Sequence, residues 1–281
     1  MVTGVFFHPR LVGEEWPIIG DRYRNFPRIL SELAASNPNL KLIQPDAVSE
    51  ELLLRIHTRS HIEGQRGTRY YEGARIAVGG LVKACELVYS GQLQNAVVFN
   101  VAAGHHAHRD YAWGGTYLSA IGPALIRLRE LDCVRVAYLD TDSHHGDGDR
   151  EILSGDPNAI HICFCSSNSI QENGTKVCID VGWSTTDQDY LDKVSRTLEM
   201  VRKFKPQIII HFFGHDTYMH DYGSRGLTLN FFPKLAEMML RFSQEVCGGR
   251  YVVMDGGGAD RDATEYIWTQ MLKILSTTFS R

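Results

Sequence analysis

Continuous apolar runs that alternate with helical segments are the feature that most constrains the fold of this chain. The clearest run, Val134–Leu139, ends in a dense cluster of Asp, His and Gly at Asp140–Gly148. Strands that are buried on both faces have such unbroken apolar runs, and their alternation with helices is typical of a parallel sheet. We therefore predict an α/β fold with three layers, α/β/α, around a mostly parallel central sheet.

The predicted elements cover most of the chain. Strands are predicted at residues 3–7, 40–43, 95–100, 134–139, 159–164, 177–181, 207–213 and 250–254. Helices are predicted at about 27–35, 49–56, 68–89, 117–131, 147–153, 187–204, 231–246 and 262–277. Loops are predicted around Trp16, Pro17 and Gly20, over 57–67, and from the end of the fifth strand through Gly174. No repeat or linker divides the chain, so we expect one domain over residues 1–281.

Composition argues against several classes of protein. The 281 residues are 43% hydrophobic and carry a net charge of −4 without a long basic run, so we expect no nucleic-acid partner. No apolar stretch is long enough to cross a membrane, and we expect no membrane association. The six cysteines form no CxxC pair and no signal peptide is evident, which is typical of reduced thiols in a cytoplasmic protein. Cys163 and Cys165 offer metal ligands, but alternation along a strand is the simpler explanation.

The cluster after the central strand has the chemistry of a metal site. Asp140, Asp142 and His144 point to one side if the backbone is extended, because side chains at i and i+2 share a face. Carboxylate oxygen together with imidazole nitrogen suits Zn²⁺ or Fe²⁺. Open α/β sheets bind ligands at the carboxyl ends of their strands, which is where this cluster lies. The alternative is a solvated acidic loop with incidental histidines.

Three further predicted strands end in polar or glycine-rich groups. These groups are His105-His106, His215-Asp216 and Gly256-Gly257-Gly258. Because the carboxyl ends of parallel strands meet at one edge of a sheet, we expect all four groups to converge on one site. The glycine run allows a ligand to approach the backbone closely, although such a run is often only a turn.

The order and spacing of these motifs resemble those of the histone deacetylase and acetylpolyamine amidohydrolase family. The matching segments are Gly104-His105-His106-Ala107, Gly114-x-x-Tyr117-Leu118, Asp140-x-Asp142-x-His144-His145-Gly146-Asp147-Gly148, Gly214-x-Asp216-Thr217 and Gly256-Gly257-Gly258. The resemblance covers nearly the whole chain. It implies an arginase-like (arginase–deacetylase) α/β fold and hydrolysis of acyl-amines with one zinc ion.

The resemblance also implies roles for individual residues. The metal ligands would be Asp142, His144 and Asp216, and the catalytic residues would be His105, His106, Asp140 and Asp147. His106 would be the general base and His105 its partner, with Asp140 orienting His105 and Asp147 orienting His106. The residues expected to contact substrate are Gly114, Gly115, Gly257, Gly258 and Tyr222. No Asp stands two residues after Asp216, which favours one metal ion over the two of the related arginases.

Three positions depart from the family pattern. Ala259 follows the glycine run, where the family has a Tyr that hydrogen-bonds the substrate oxyanion, and Gly115 stands where a Phe lines the substrate tunnel. Cys163 stands where many members have a Ser that helps to bind a structural monovalent cation. We therefore expect a site wider than a lysine-sized tube. The candidate replacements for the missing oxyanion donor are His215, Tyr218, His220 and Tyr222.

The leading functional hypothesis is a metal-dependent hydrolase of C–N amide bonds in a small acylated amine or related metabolite. Alternatives are a hydrolase of another carbonyl compound, such as an ester or cyclic amide, and a protein that binds acylated ligands without turnover. The expected partner is a small-molecule substrate, and the sequence leaves a homo-oligomer open.

Overall fold

A nine-stranded sheet forms the centre of the molecule in the computed structural model, which describes residues 2–13 and 21–277. The strands are β1 (Thr3–Phe6), β2 (Leu40–Ile43), β3 (Asn95–Val98), β4 (Val136–Asp140), β5 (Ala159–Cys165), β6 (Ser169–Gln171), β7 (Lys176–Asp180), β8 (Ile208–Phe213) and β9 (Tyr251–Asp255). The predicted loop around Trp16, Pro17 and Gly20 lies outside the described residues.

The α-helices in the same part of the chain alternate with these strands. They are α1 (Phe26–Ser36), α2 (Glu50–Leu53), α3 (Arg59–Arg66), α4 (Tyr71–Tyr89), α5 (Ile121–Glu130), α6 (Asp147–Leu153), α7 (Asp187–Phe204), α8 (Phe231–Cys247) and α9 (Arg261–Leu275). Helix α4 packs on β3 and β9 and against α5, whereas α9 packs on β3 and against α8. These groups form the helical layers that cover the sheet.

The strand order is β2-β1-β3-β9-β8-β4-β5-β7-β6. Every paired strand is parallel to its neighbour except β6, which pairs antiparallel with β7 at the edge. The predicted α/β fold with a mostly parallel sheet is therefore confirmed. The central strands are buried along their whole length, which explains why they have unbroken apolar runs.

Two segments that were predicted to be loops contain regular structure. Residues 57–67 were expected to be irregular, but Arg59–Arg66 forms α3, capped by the Thr58 side chain, which accepts a hydrogen bond from the His61 backbone N–H. Only His61 and Ile62 of this helix are buried, so its apolar periodicity is faint. The segment before Gly174 contains the edge strand β6, which is largely exposed and has no apolar face to reveal it.

Several helix boundaries also differ from the prediction. The predicted helix at 117–131 begins at Ile121, because the Tyr117 N–H bonds the Ala102 carbonyl and keeps the preceding residues out of the helix. The helix predicted at 49–56 is shorter, Glu50–Leu53. Among the residues that the structure covers, no helix combines the length and apolarity that a membrane crossing requires.

The topology brings the four sequence motifs together. Strands β3, β9, β8 and β4 are consecutive neighbours in the sheet, and the motifs follow their carboxyl ends. Asp140 at the end of β4 pairs in register with Phe212 of β8, and Phe213 pairs with Asp255 at the end of β9. The predicted convergence at one edge of the sheet is therefore confirmed.

Candidate metal centre

Three side chains from two strand ends form a compact group of potential metal ligands. One ligand atom from each of Asp142, His144 and Asp216 lies within 4.8 Å of the others. His144 Nδ1 lies 3.0 Å from Asp142 Oδ1 and 3.1 Å from Asp216 Oδ2. Both carboxylates are buried, whereas the His144 ring is partly exposed to the cavity. The structure thus assembles the three residues that were predicted as ligands.

The backbone around this group holds the carboxylates in place. Asp142 Oδ2 accepts a hydrogen bond of 2.8 Å from the Gly257 N–H, and Asp216 Oδ1 accepts one of 3.0 Å from the Ser143 N–H. The buried Asp216 Oδ2 has no hydrogen-bond partner among the described residues, although it lies close to His144. A buried carboxylate oxygen without a donor is costly unless a cation lies beside it, so these residues fit a divalent metal.

The electrostatics of the group agree with that assignment. The hydrogen bond to Asp142 and the close approach of Asp216 raise the pKa of His144 to about 10, which means that the two carboxylates attract a positive charge to this point. Burial and the neighbouring Asp142 charge raise the pKa of Asp216 to about 6. Two buried carboxylates repel one another, and a bound cation would relieve that repulsion.

Each predicted catalytic histidine has the carboxylate partner that was expected for it. His105 Nδ1 donates to Asp140 Oδ2 at 2.8 Å, and His106 Nδ1 donates to Asp147 Oδ1 at 2.7 Å. Because the hydrogen of each neutral ring is on Nδ1, its Nε2 atom carries the lone pair and points away from the carboxylate partner. His105 Nε2 lies 3.7 Å from the ligand Asp142, whereas the His106 ring lies across the cavity from His144, with 6.1 Å between centroids.

His106 is held in an environment that keeps it neutral. Burial and the adjacent His105 lower the pKa of His106 to about 4. The Trp113 indole packs on the His106 ring at 3.7 Å between centroids and donates from Nε1 to Asp147 Oδ2 at 2.9 Å. Trp113 therefore contacts both members of the His106–Asp147 pair. Trp113 was not predicted as a site residue, although an aromatic residue directly before Gly114-Gly115 is a signal that the sequence contains.

Two glycines leave room for the side chains of the candidate site. Gly114 has a φ of +59°, and a Cβ at this position would lie 2.5 Å from His106 Cδ2. A Cβ at Gly257 would lie 2.6 Å from both Asp142 Oδ2 and the Tyr222 hydroxyl. Any side chain at either position would displace a group of the site.

A cavity of about 210 Å³ connects these groups. Of the predicted substrate contacts, Gly114, Gly115, Gly257 and Tyr222 line it, whereas Gly258 lies behind the lining. The lining residues that the sequence analysis missed are Arg22, Asn100, Ala102, Ala103, Trp113, Thr116 and Phe212. Most of them lie in loops or strands without a polar pattern, so only the tertiary structure reveals them.

Comparison with known proteins shows the family to which the chain belongs. A family model described as "Histone deacetylase domain" matches residues 64–275. The chain belongs to the histone deacetylase family. It is accordingly an enzyme of the deacetylase and amidohydrolase type.

Relatives of this deacetylase family member occur in archaea and bacteria. The chain is 27% identical to a "Probable deacetylase" of Archaeoglobus fulgidus, over 95% of this chain and 84% of the relative. It is 26% identical to the acetoin utilization protein AcuC of Bacillus subtilis, over 78% and 67% of the two chains. It is 27% identical to a histone deacetylase-like amidohydrolase of Pseudomonas aeruginosa, over 88% and 73%. The crystal structure of the HDA15 HD domain shares the fold, with a TM-score of 0.82, 20% identity and coverage of 98% and 89%.

The structure shows which groups surround Ala259, one of the positions that depart from the deacetylase pattern. Ala259 occupies the position of the expected Tyr, and its N–H donates to Asp221 Oδ2 at 2.8 Å. The next residue along from Asp221 is Tyr222, whose hydroxyl accepts a hydrogen bond of 3.1 Å from the Gly258 N–H. The loop after Asp216 is thus fastened to the glycine run and places a tyrosine hydroxyl in the cavity.

The other candidate oxyanion donors lie outside the cavity lining. The His215 ring is fully buried, with Nε2 2.9 Å from Thr264 Oγ1, and Tyr218 packs edge-on against the exposed His220. Tyr222 is the candidate that faces the ligand group. The expectation of a wide site is only partly met, because the Trp113 indole provides a wall beside Gly115.

Proposed function

We propose that this deacetylase family member is a zinc-dependent hydrolase of C–N amide bonds that acts on a small acylated amine. The observation that carries the proposal is that the Asp142, His144 and Asp216 group and the neutral His106 face each other across one cavity. Hydrolysis of an amide requires an electrophilic centre, a base for the attacking water and an acid for the leaving amine.

Asp142, His144 and Asp216 would hold the metal ion. Two carboxylates and one imidazole suit Zn²⁺, with Fe²⁺ as the alternative, and three protein ligands leave coordination positions open. The chemistry that such an ion supplies is polarisation of a carbonyl and a lowered pKa for water.

His106 is the proposed proton carrier. Its Nδ1–H is bound to Asp147, so its Nε2 carries the lone pair and can accept the proton from the water that attacks the carbonyl carbon. The same Nε2–H then returns the proton to the amine nitrogen as the C–N bond breaks. Asp147 and Trp113 fix the ring, and Asp147 stabilises the imidazolium that forms between the two transfers.

Tyr222 is the proposed donor to the oxyanion. Its oxygen accepts from the Gly258 N–H, and none of the described residues accepts its proton, so the O–H can donate into the cavity. Burial of its hydroxyl end against the glycine run, together with the nearby Asp216 and Asp142 charges, raises the pKa of Tyr222 above its ordinary value, which keeps the hydroxyl protonated. A neutral donor aimed at the developing negative charge is the requirement of an acyl-transfer site.

The shape of the cavity favours a small substrate. Its volume of about 210 Å³ is below the range of about 300–1,000 Å³ that is usual for ligand pockets. The exposed Trp113 and Tyr222 belong to its lining, and Ala102, Ala103 and Phe212 supply apolar surface. We infer that a short acyl group enters this space and that the amine part passes between the two aromatic rings.

The experiment that tests the proposal combines metal analysis with turnover. We expect the purified enzyme to hydrolyse one or more members of a panel of short acylated amines, and a chelator to abolish turnover until Zn²⁺ or Fe²⁺ is restored. The double variant Asp142→Ala, Asp216→Ala should lose both the metal bound at this site and the activity, because it removes two of three ligands.

Other outcomes of the same assay would identify a different function. Turnover of esters or cyclic amides without acyl-amine turnover would replace the proposed substrate class. Metal-dependent binding of acyl-amines without product would indicate a binding protein. Full activity in the double variant would refute the metal assignment.

A further inference from the structure

A second group of metal-ligand side chains lies beyond the loop that carries Asp142 and His144. Cys163 and Cys165 project from the same face of β5, and Cys178 of β7 pairs in register with Cys163. His145 approaches them from the loop after β4. The three thiols are buried and form a group of their own, separate from the main apolar core.

Three of these ligand atoms lie near one another, and the fourth lies close to one of them. One ligand atom from each of His145, Cys163 and Cys165 lies within 4.8 Å of the others. Cys178 Sγ lies 3.6 Å from His145 Nδ1, and Cys178 is the partner of Cys163 in the pairing of β5 with β7. With Zn–S of about 2.3 Å and Zn–N of about 2.0 Å, tetrahedral geometry separates neighbouring ligand atoms by roughly 3.5–3.8 Å.

We propose that Cys163, Cys165, Cys178 and His145 form a second metal site, for a borderline or soft ion such as Zn²⁺. Three thiolates and one imidazole are a complete ligand set for a closed, tetrahedral structural site. The hard oxygen ligands of the first site are absent from this set, so the two sites differ in chemistry as well as in position.

The surroundings of the thiols support metal binding over simple packing. Arg150 Nη2 lies 3.3 Å from Cys178 Sγ, and the Gly146 N–H donates to Cys163 Sγ at 3.5 Å. Such donors stabilise thiolates, which are the form that binds metals. The Arg150 charge also offsets the negative charge that three thiolates bring.

The position of the group gives the proposed ion a structural role. Cys163 Sγ lies 4.0 Å from Asp140 Oδ2 and 3.9 Å from the His144 carbonyl oxygen. An ion at this point would join β5 and β7 to the loop that carries Asp142, His144 and Asp147. Its loss would loosen that loop without removing any residue from the cavity.

Cobalt substitution distinguishes the two sites. The full chain is stripped of metal under reducing, anaerobic conditions and titrated with Co²⁺, and absorption is recorded. Thiolate-to-cobalt charge-transfer absorption in the near ultraviolet should appear in the wild type and persist in Asp142→Ala, Asp216→Ala, because only the cysteine site supplies sulfur. It should vanish in Cys165→Ser, Cys178→Ser, which should also bind one Zn²⁺ fewer per chain.

Matched control variants show whether the absorption depends on the cysteines of the proposed site. Cys85→Ser, Cys247→Ser removes two buried thiols elsewhere and should leave the absorption unchanged. If the double variant Cys165→Ser, Cys178→Ser does not fold, His145→Ala is used in its place, because His145 is only half-buried. In that variant we expect the charge-transfer absorption to weaken and shift. Absence of the charge-transfer band in the wild type would overturn the proposal. So would the finding that Cys165 and Cys178 form a disulfide even under the reducing conditions of the experiment.

Discussion

At the scale of single residues, His106 is the point on which the proposed chemistry depends. It lies between Asp147, Trp113 and His105, and each neighbour affects it differently. Asp147 sets the tautomer, Trp113 fixes the plane of the ring, and burial with the adjacent His105 lowers its pKa to about 4. The proposed base is therefore in its neutral, proton-accepting form at neutral pH.

Replacement of His106 should separate proton transfer from metal binding. We expect His106→Ala to lower kcat by roughly 10²–10⁴-fold, because general base catalysis contributes about that much. Its metal content should equal that of the wild type, since His106 is not one of the ligands. The measurement is steady-state kinetics beside elemental analysis. A far larger loss in His105→Ala than in His106→Ala would reverse the two roles.

Tyr222 allows a similarly sharp test. Tyr222→Phe retains the ring and removes only the hydroxyl, so we expect kcat to fall by about 10²–10³-fold, as for loss of one oxyanion donor. KM should change little, because the hydrogen bond is made in the transition state. Tyr218→Phe, in the same loop but outside the cavity lining, is the control. An unchanged kcat in Tyr222→Phe would mean that other groups stabilise the oxyanion. A gain of activity in Ala259→Tyr would show that a tyrosine at position 259 can donate that hydrogen bond.

At the scale of elements, the start of α9 supports the glycine run. Asp260 caps this helix by accepting a hydrogen bond of 2.8 Å from the Ala263 N–H, and its own N–H donates to Asp221 Oδ2. Asp221 also binds the Ala259 N–H. The last helix and the loop that bears Tyr222 therefore share one carboxylate anchor.

Loss of the Asp260 cap should destabilise the protein by a predictable amount. We expect Asp260→Ala to lower the free energy of unfolding by about 1 kcal/mol, the usual cost of a missing N-cap. Asp260→Ser should restore most of it, because a hydroxyl can accept the same bond. Urea unfolding at neutral pH gives both values. If the serine variant were no more stable than the alanine variant, the capping bond would not be the source of the loss.

The elements that sequence reasoning found and missed differ in physical character. β4 and β8 are buried on both faces, and their continuous apolar runs are typical of strands in the middle of a parallel sheet. Helix α3 and strand β6 expose most of their residues, so the hydrophobic effect leaves little trace in their sequences. Polar groups at strand ends were likewise predictable, because parallel strands align their carboxyl ends.

The parts of the site that escaped prediction are those that depend on packing between distant segments. Arg22 reaches the glycine run from the start of the chain, where Nη1 donates to the Gly256 and Gly258 carbonyl oxygens. No spacing rule relates residues that lie so far apart in sequence. Trp113 is half exposed, and only its contact with His106 reveals its place in the site.

At the scale of the whole molecule, buried neutral histidines link stability to pH. Burial lowers the pKa of His211 to about 3, and burial with the nearby His61 lowers the pKa of His57 to about 4. The unfolded chain binds these protons near pH 6.5, whereas the folded protein does not, so stability falls as pH decreases from about 6.5 toward 4. Each such histidine contributes a slope of about 1.4 kcal/mol per pH unit in this window.

The contribution of one histidine can be isolated. His211 is fully buried between Thr141 and Tyr251, and His211→Gln keeps polar atoms there without a group that titrates. We expect the variant to be less stable at pH 7 but to show a smaller decrease of stability between pH 6.5 and 4.5. Denaturant unfolding at several pH values measures the slope. An unchanged slope would mean that His211 does not enter the acid sensitivity.

The order of the strands also has a consequence for how the protein is made. β9, the last in sequence of the strands in the described residues, lies between β3 and β8, so the two halves of the sheet stay separate until it inserts. Such a non-local pairing slows folding, and a chain that emerges from the ribosome amino end first makes β9 only after the other eight described strands. Because the glycine run follows β9, the Asp142 carboxylate gains its Gly257 partner only when β9 has been inserted. A nascent chain that has not yet reached the glycine run would therefore lack a complete site, so the proposed activity requires that β9 is made and inserted.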